Sequence, residues 1–104
     1  MANRFRGDVE VEIDGVRHVA RLTLGAFAEL EERLDETSLV GLVERFEGNA
    51  FSSRDVIALL GAGLRGGGAD ISDAVLAGAE VGGGPMGAAR CAAELLARAF
   101  VVPE

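Results

Sequence analysis

Apolar and polar residues alternate at the start of the chain and then change period. Val9, Val11 and Ile13 fall on one face, with Asp8, Glu10 and Glu12 on the other, a period of two that predicts a β-strand. Asp14-Gly15 follows, a dipeptide favoured in two-residue type I′ hairpin turns because both central positions need positive φ. Val16 to Leu22 then returns as a second strand. Setting Ile13 opposite Val16 brings Glu12 opposite Arg17 and Asp8 opposite Arg21, two opposite-charge cross-strand pairs on the polar face. Turn chemistry and charge agree on one register, for a hairpin over about 8–22.

Past Thr23, a candidate N-cap, the spacing becomes helical. Leu24, Phe27, Leu30 and Leu34 make one apolar stripe, with Glu29, Glu32 and Arg33 outward. Thr37-Ser38 opens a second helix carrying Leu39, Leu42, Val43 and Phe46, which Gly48-Asn49 ends. Ser52 and Asp55 are spaced as a capping box ahead of Val56, Ile57, Leu59, Leu60 and Leu64. Gly61 and Gly63 weaken that third helix, so their expected use is close approach of a neighbour, and Gly66-Gly67-Gly68 stops it. Asp70 to Asp73 caps a fourth helix with Val75, Leu76 and Ala79. After Gly82-Gly83-Gly84, Pro85 sits in the first turn of a last helix through Met86, Ala89, Ala92, Ala93, Leu96 and Phe100. The predicted helices are about 24–35, 39–47, 53–65, 71–80 and 85–100. The fold class is α+β, an N-terminal β-hairpin followed by a bundle of four to five short α-helices in a single domain over residues 1–104.

Composition narrows what such a domain does. With 104 residues, 49% of them hydrophobic, the chain supports one modest core. Its five aromatics are all Phe, so Leu, Val, Ile and Ala must fill that core, which favours closely packed helices. The net charge is −7 and the ten basic residues are all Arg, scattered singly, whereas phosphate-backbone binding needs clustered cations. Nucleic acid is therefore not an expected partner. No apolar run approaches the roughly 18 residues of a membrane span. The opening Met1 to Arg6 lacks the apolar core of a signal peptide, and the expected location is the cytoplasm.

Little of the sequence looks catalytic. His18 lies on the hairpin face with Val11 and Val16 and has no sequence-near companion for a metal site, and Cys91, among alanines, reads as a packing residue. Leu60 to Gly66 superficially suggests a phosphate loop, but its glycines end a helical stripe instead of following a strand, and the absence of Lys rules out a Walker A motif. No cofactor is expected. Glu29, Glu31, Glu32, Asp35 and Glu36 cluster on the first helix; a solvated face or an acidic docking surface fits them better than a carboxylate-pair hydrolase. The small residues of the last helix, from Gly87 to Ala99, permit either close internal packing or a partner or self-association surface. The candidate interaction residues are Glu29, Glu32, Arg54 and Arg65.

The acidic hairpin with Asp14-Gly15, the run Leu22-Thr23-Leu24-Gly25-Ala26-Phe27-Ala28-Glu29-Leu30-Glu31, the stretch from Phe51 through Gly61-Ala62-Gly63-Leu64-Arg65-Gly66 and the closing Ala-rich helix together resemble the small tail proteins of gene transfer agents. The resemblance covers essentially the whole chain. Members of that family are encoded near the major tail-tube and tape-measure proteins and are described both as tail tube proteins and as tail assembly chaperones. The resemblance implies a non-enzymatic role in which the tape-measure protein and the major tail-tube protein are the partners, with no catalytic motif to carry over. A tube subunit builds stacked rings, usually through an extensive sheet, which one hairpin does not obviously supply. An acidic, largely helical domain suits helix-in-groove binding better. The expected function is thus a tail assembly chaperone of a gene transfer agent or siphophage-like tail, and the alternative is a structural tail component retained in the particle.

Overall fold

The alternating N-terminal segment folds back on itself in the expected register. In the computed structural model, which describes residues 7–34, 39–48 and 51–99, strand β1 (Val9–Ile13) pairs antiparallel with β2 (Val16–Ala20). Ile13 faces Val16 and Glu12 faces Arg17. Asp14 (φ 51°) and Gly15 (φ 82°) both take the positive φ that a type I′ turn demands. Val9, Val11 and Ile13 are buried while Glu10 and Glu12 are exposed.

Asp8 meets Arg21 as the register predicts, but away from solvent. It is fully buried. The Arg21 guanidinium grips both of its carboxylate oxygens, Nε at 2.6 Å and Nη2 at 3.2 Å, and Arg98 donates to its backbone carbonyl. A carboxylate held by a guanidinium fork loses far less on leaving water than an unpaired one.

Five helices follow: α1 (Leu24–Leu34), α2 (Leu39–Glu47), α3 (Ser53–Gly66), α4 (Asp73–Ala77) and α5 (Gly84–Ala99). The architecture is α+β, a hairpin and then a helical bundle. Local signals set several starts. Thr23 Oγ1 accepts the Ala26 amide at 3.1 Å, and Ser52 and Asp55 form the reciprocal capping box at the head of α3. Thr37, Ser38, Asn49 and Phe100, assigned above to helix ends, lie outside the described residues, as do Asp35 and Glu36 of the acidic cluster.

Helix α4 is shorter than the expected 71–80. Ser72 caps it and Gly78 closes it, after which the backbone is drawn to the hairpin. Val81 bridges Ile13, the Asp14 amide donates to the Glu80 carbonyl at 2.8 Å and the Gly82 amide to the Glu12 carbonyl at 2.8 Å. Residues 80–82 cannot both continue a helix and satisfy the outer edge of β1.

Helix α3 is the centre of the molecule, with Val56, Ala58, Leu59, Leu60, Ala62 and Leu64 all buried. Helix α1 packs on it through Ala26 and Leu30, and α5 and β2 also pack on it. Two residues expected on apolar stripes face solvent instead: Leu24 is 87% and Met86 73% exposed. Val75, next to the buried Leu76, is likewise exposed. In α5 the inward positions are Ala88, Ala92, Leu95 and Leu96.

The end of α3 lies directly against β2. The Arg21 amide donates to the Gly63 carbonyl at 2.8 Å, and a side chain on Gly66 or Gly67 would overlap the carbonyl of Arg21 or Val19. Gly63 also receives Leu95 of α5, whose Cδ1 would be 2.8 Å from a Cβ there. The helix-weakening glycines of α3 are what allow close approach.

Candidate interaction surface

Three of the four candidate contact residues are engaged within the molecule. The Arg65 guanidinium donates to Glu29, to the Ile71 carbonyl at 2.8 Å and to Asp73 Oδ1 at 3.0 Å. Arg33 meets Glu29 Oε1 through Nε at 3.2 Å and Asp73 Oδ2 through Nη1 at 2.7 Å. Burial works to lower the pKa of Arg65, but the hydrogen bonds to Glu29 and Asp73 outweigh it and leave the value raised. The network joins α1, α3 and the head of α4. Gly61 is its unforeseen member, since any side chain there would overlap the Asp73 carboxylate. Arg54 is exposed and donates from Nη2 to the Arg33 carbonyl at 3.2 Å, and Glu32 is exposed on α1. The four residues therefore divide into Glu29 and Arg65, partly buried and joined to each other, Arg54, exposed but bonded to α1, and Glu32, which faces outward.

On another side of α3 lies an open groove of about 770 Å³. Phe51, Ile57 and Leu60 line it from the α3 side, Leu76 and Val81 from the connection to α5, and Met86 from the first turn of α5. Phe51 is fixed by stacking on Phe46 with centroids 4.7 Å apart. Among the described residues lining the groove, Glu80 is the one that carries charge. Its amide donates to the Asp14 carboxylate at 2.8 Å, and Gly82, two residues on, lies against the Glu12 side chain. Residues 80–82, at one end of this apolar trough, thus lie beside two further carboxylates. The sequence held only an indirect sign of it, in an apolar stripe on α3 broader than one neighbour needs.

The small residues of α5 divide by face. Gly87, Ala88 and Ala92 are buried, and Gly87 lies so close to the Gly82 carbonyl that no side chain would fit. Ala93 and Ala97 are exposed.

The remaining reactive groups are dispersed. His18 faces Val11 across the hairpin, while the Cys91 Sγ lies 4.0 Å from the Glu10 carbonyl. Burial, and then Glu94, push the Cys91 thiol above its ordinary pKa against the smaller opposing effect of Arg90. Among the described residues no group of three or more His, Cys, Asp or Glu side chains is arranged to hold a metal, and no helix is long and apolar enough to cross a membrane.

No curated protein and no solved structure matches the chain significantly. A family model described as phage tail tube protein, GTA-gp10, matches residues 6–101, which takes in the hairpin, the ion-pair network and the groove. The chain belongs to this family and is a tail-related protein of the phage and gene transfer agent type.

Proposed function

We propose that the chain is a non-enzymatic tail assembly chaperone that binds the tape-measure protein, the tail-tube protein or both. The observation that carries this reading is that part of each edge of its sheet is occupied, beside the turn on β1 and at the far end of β2. Residues 80–82 occupy the outer edge of β1 through the Asp14–Glu80 and Gly82–Glu12 hydrogen bonds. The end of α3 lies over the outer edge of β2, where Gly63 takes the Arg21 amide and Gly67 abuts the Val19 carbonyl. A ring or tube that grows by strand pairing needs a long free edge, and two five-residue strands, each with one end of its edge taken, leave only a short one. What the molecule exposes instead is an apolar groove, the surface that helix-in-groove recognition uses.

A second reading, a structural component retained in the tail, is favoured by the family description, which names a tail tube protein. Co-expression with the neighbouring tail-tube and tape-measure proteins, followed by mass spectrometry of finished particles, separates the two. Capture of the tape measure together with absence from particles supports the chaperone. Stoichiometric presence in the tail without capture overturns it in favour of the structural component. A hydrolase acting through Glu29 has little support, since Arg33 and Arg65 already hold that carboxylate. Turnover abolished by Glu29→Gln and Glu32→Gln would restore it.

A further inference from the structure

The groove between α3 and the start of α5 combines three features. Its lining is apolar, with Ile57 and Val81 partly exposed along one trough and Leu76 buried beneath it. Its mouth carries a flexible, largely exposed thioether, Met86, a side chain that adapts to varied apolar partners. One end is acidic, with Glu80 beside Asp14 and Glu12. We propose that this groove receives the apolar face of an amphipathic helix from a partner tail protein, with Lys or Arg at the helix end that meets Glu80, Asp14 and Glu12.

Charge selects this occupant over a second copy. The chain carries a net charge of −7, so a second copy as a whole approaches an acidic groove end against electrostatic repulsion. Like charges brought together at an interface oppose binding, whereas a basic helix end gains from the same rim. The apolar lining supplies most of the binding energy, and the carboxylates fix which end of the helix lies where. The inference rests on the assembly-factor reading above and adds the site, the helical form of the ligand and its polarity.

The test is photo-crosslinking in cells co-expressing the neighbouring tail proteins, with benzoylphenylalanine in place of Met86 and, as a control away from the groove, in place of Leu24. Crosslinks from position 86 should map to a segment of a tail protein with apolar residues at helical spacing and Lys or Arg at one end, and position 24 should give none to that segment. Met86→Glu and Glu80→Arg should each weaken capture of that protein about tenfold, and Leu24→Glu should leave it unchanged. Both altered side chains are exposed, so unchanged circular dichroism melting will verify that the variants fold. Crosslinks from position 86 to a second copy or to the same chain overturn the groove assignment, as does capture undiminished by both variants while the wild type binds; the assembly-factor reading survives either result. A wild type that captures no tail protein overturns both.

Discussion

At the scale of single residues, glycines carry much of the information and need different explanations. Gly67 caps α3 with φ −86°, an angle open to any residue, so its identity is set by space. A methyl group there would overlap the Val19 carbonyl, which belongs to backbone and cannot rotate away. Gly67→Ala should destabilise the fold by about 1–3 kcal/mol, as other overpacked contacts do, with a fall in melting temperature of roughly 4–8 °C per kcal/mol. Gly25 is the contrast, exposed in the first turn of α1, where an added Cβ would meet only Thr23 Oγ1 at an ordinary 3.7 Å. Gly25→Ala should stabilise by about 0.4–1 kcal/mol through the unfolded chain, read in the same melting experiment. Cys91 gives the pH-dependent case. Its raised thiol pKa means less thiolate at a given pH than in an unhindered cysteine, so alkylation near pH 8 should be slower than for a model thiol and should rise with pH over a higher range.

At the scale of elements, the parts governed by near neighbours were legible in the sequence. The hairpin register follows from Asp14-Gly15 and from charges directly opposite, and the α3 start follows from Ser52 and Asp55, three residues apart. What the pattern misassigned depends on residues distant in the chain. Asp8 pairs with Arg21 as expected, but its burial, which no local signal shows, comes with Arg98, ninety positions away, on its backbone carbonyl. Helix α4 stops early because residues 80–82 are needed at β1, and Leu24 is exposed because α1 meets α3 through Ala26 and Leu30. The candidate pair Glu29 and Arg65 stood out by type, but their mutual contact spans 36 positions and has no local signature. The five residues of α4 are too few to be stable alone, and Arg65 anchors them through the Ile71 carbonyl and Asp73. Arg65→Ala should therefore accelerate amide exchange across 75–79 far more than in the middle of α5. Arg65→Lys should restore little of the protection, since an ammonium cannot span the same acceptors. Equal acceleration in both helices would mean that Arg65 supports the whole fold and not α4 in particular.

At the scale of the whole molecule, the arrangement of the hairpin decides what the protein can build. A sheet whose edges were open would add strands from neighbouring copies, and repetition of that contact would give rings or filaments. Here the turn end of the β1 edge is taken by the return of the chain after α4, and the far end of the β2 edge by the glycine-bearing end of α3. Charge acts in the same sense, because copies with a net charge of −7 repel one another at neutral pH. The two effects separate experimentally. At neutral pH the purified protein should show no tubes by negative-stain electron microscopy, even at high concentration. Lowering the pH toward the isoelectric point, about 4.6, removes the net repulsion but leaves both edges partly occupied as before. Association should then increase without order, as light scattering from irregular aggregates. If tubes formed once the charge was neutralised, charge alone would have been restraining a competent tube subunit, and the partly occupied edges would not be the barrier. Irregular aggregation at low pH, with no tubes under either condition, is the outcome expected when the short strands leave too little open edge for ordered pairing.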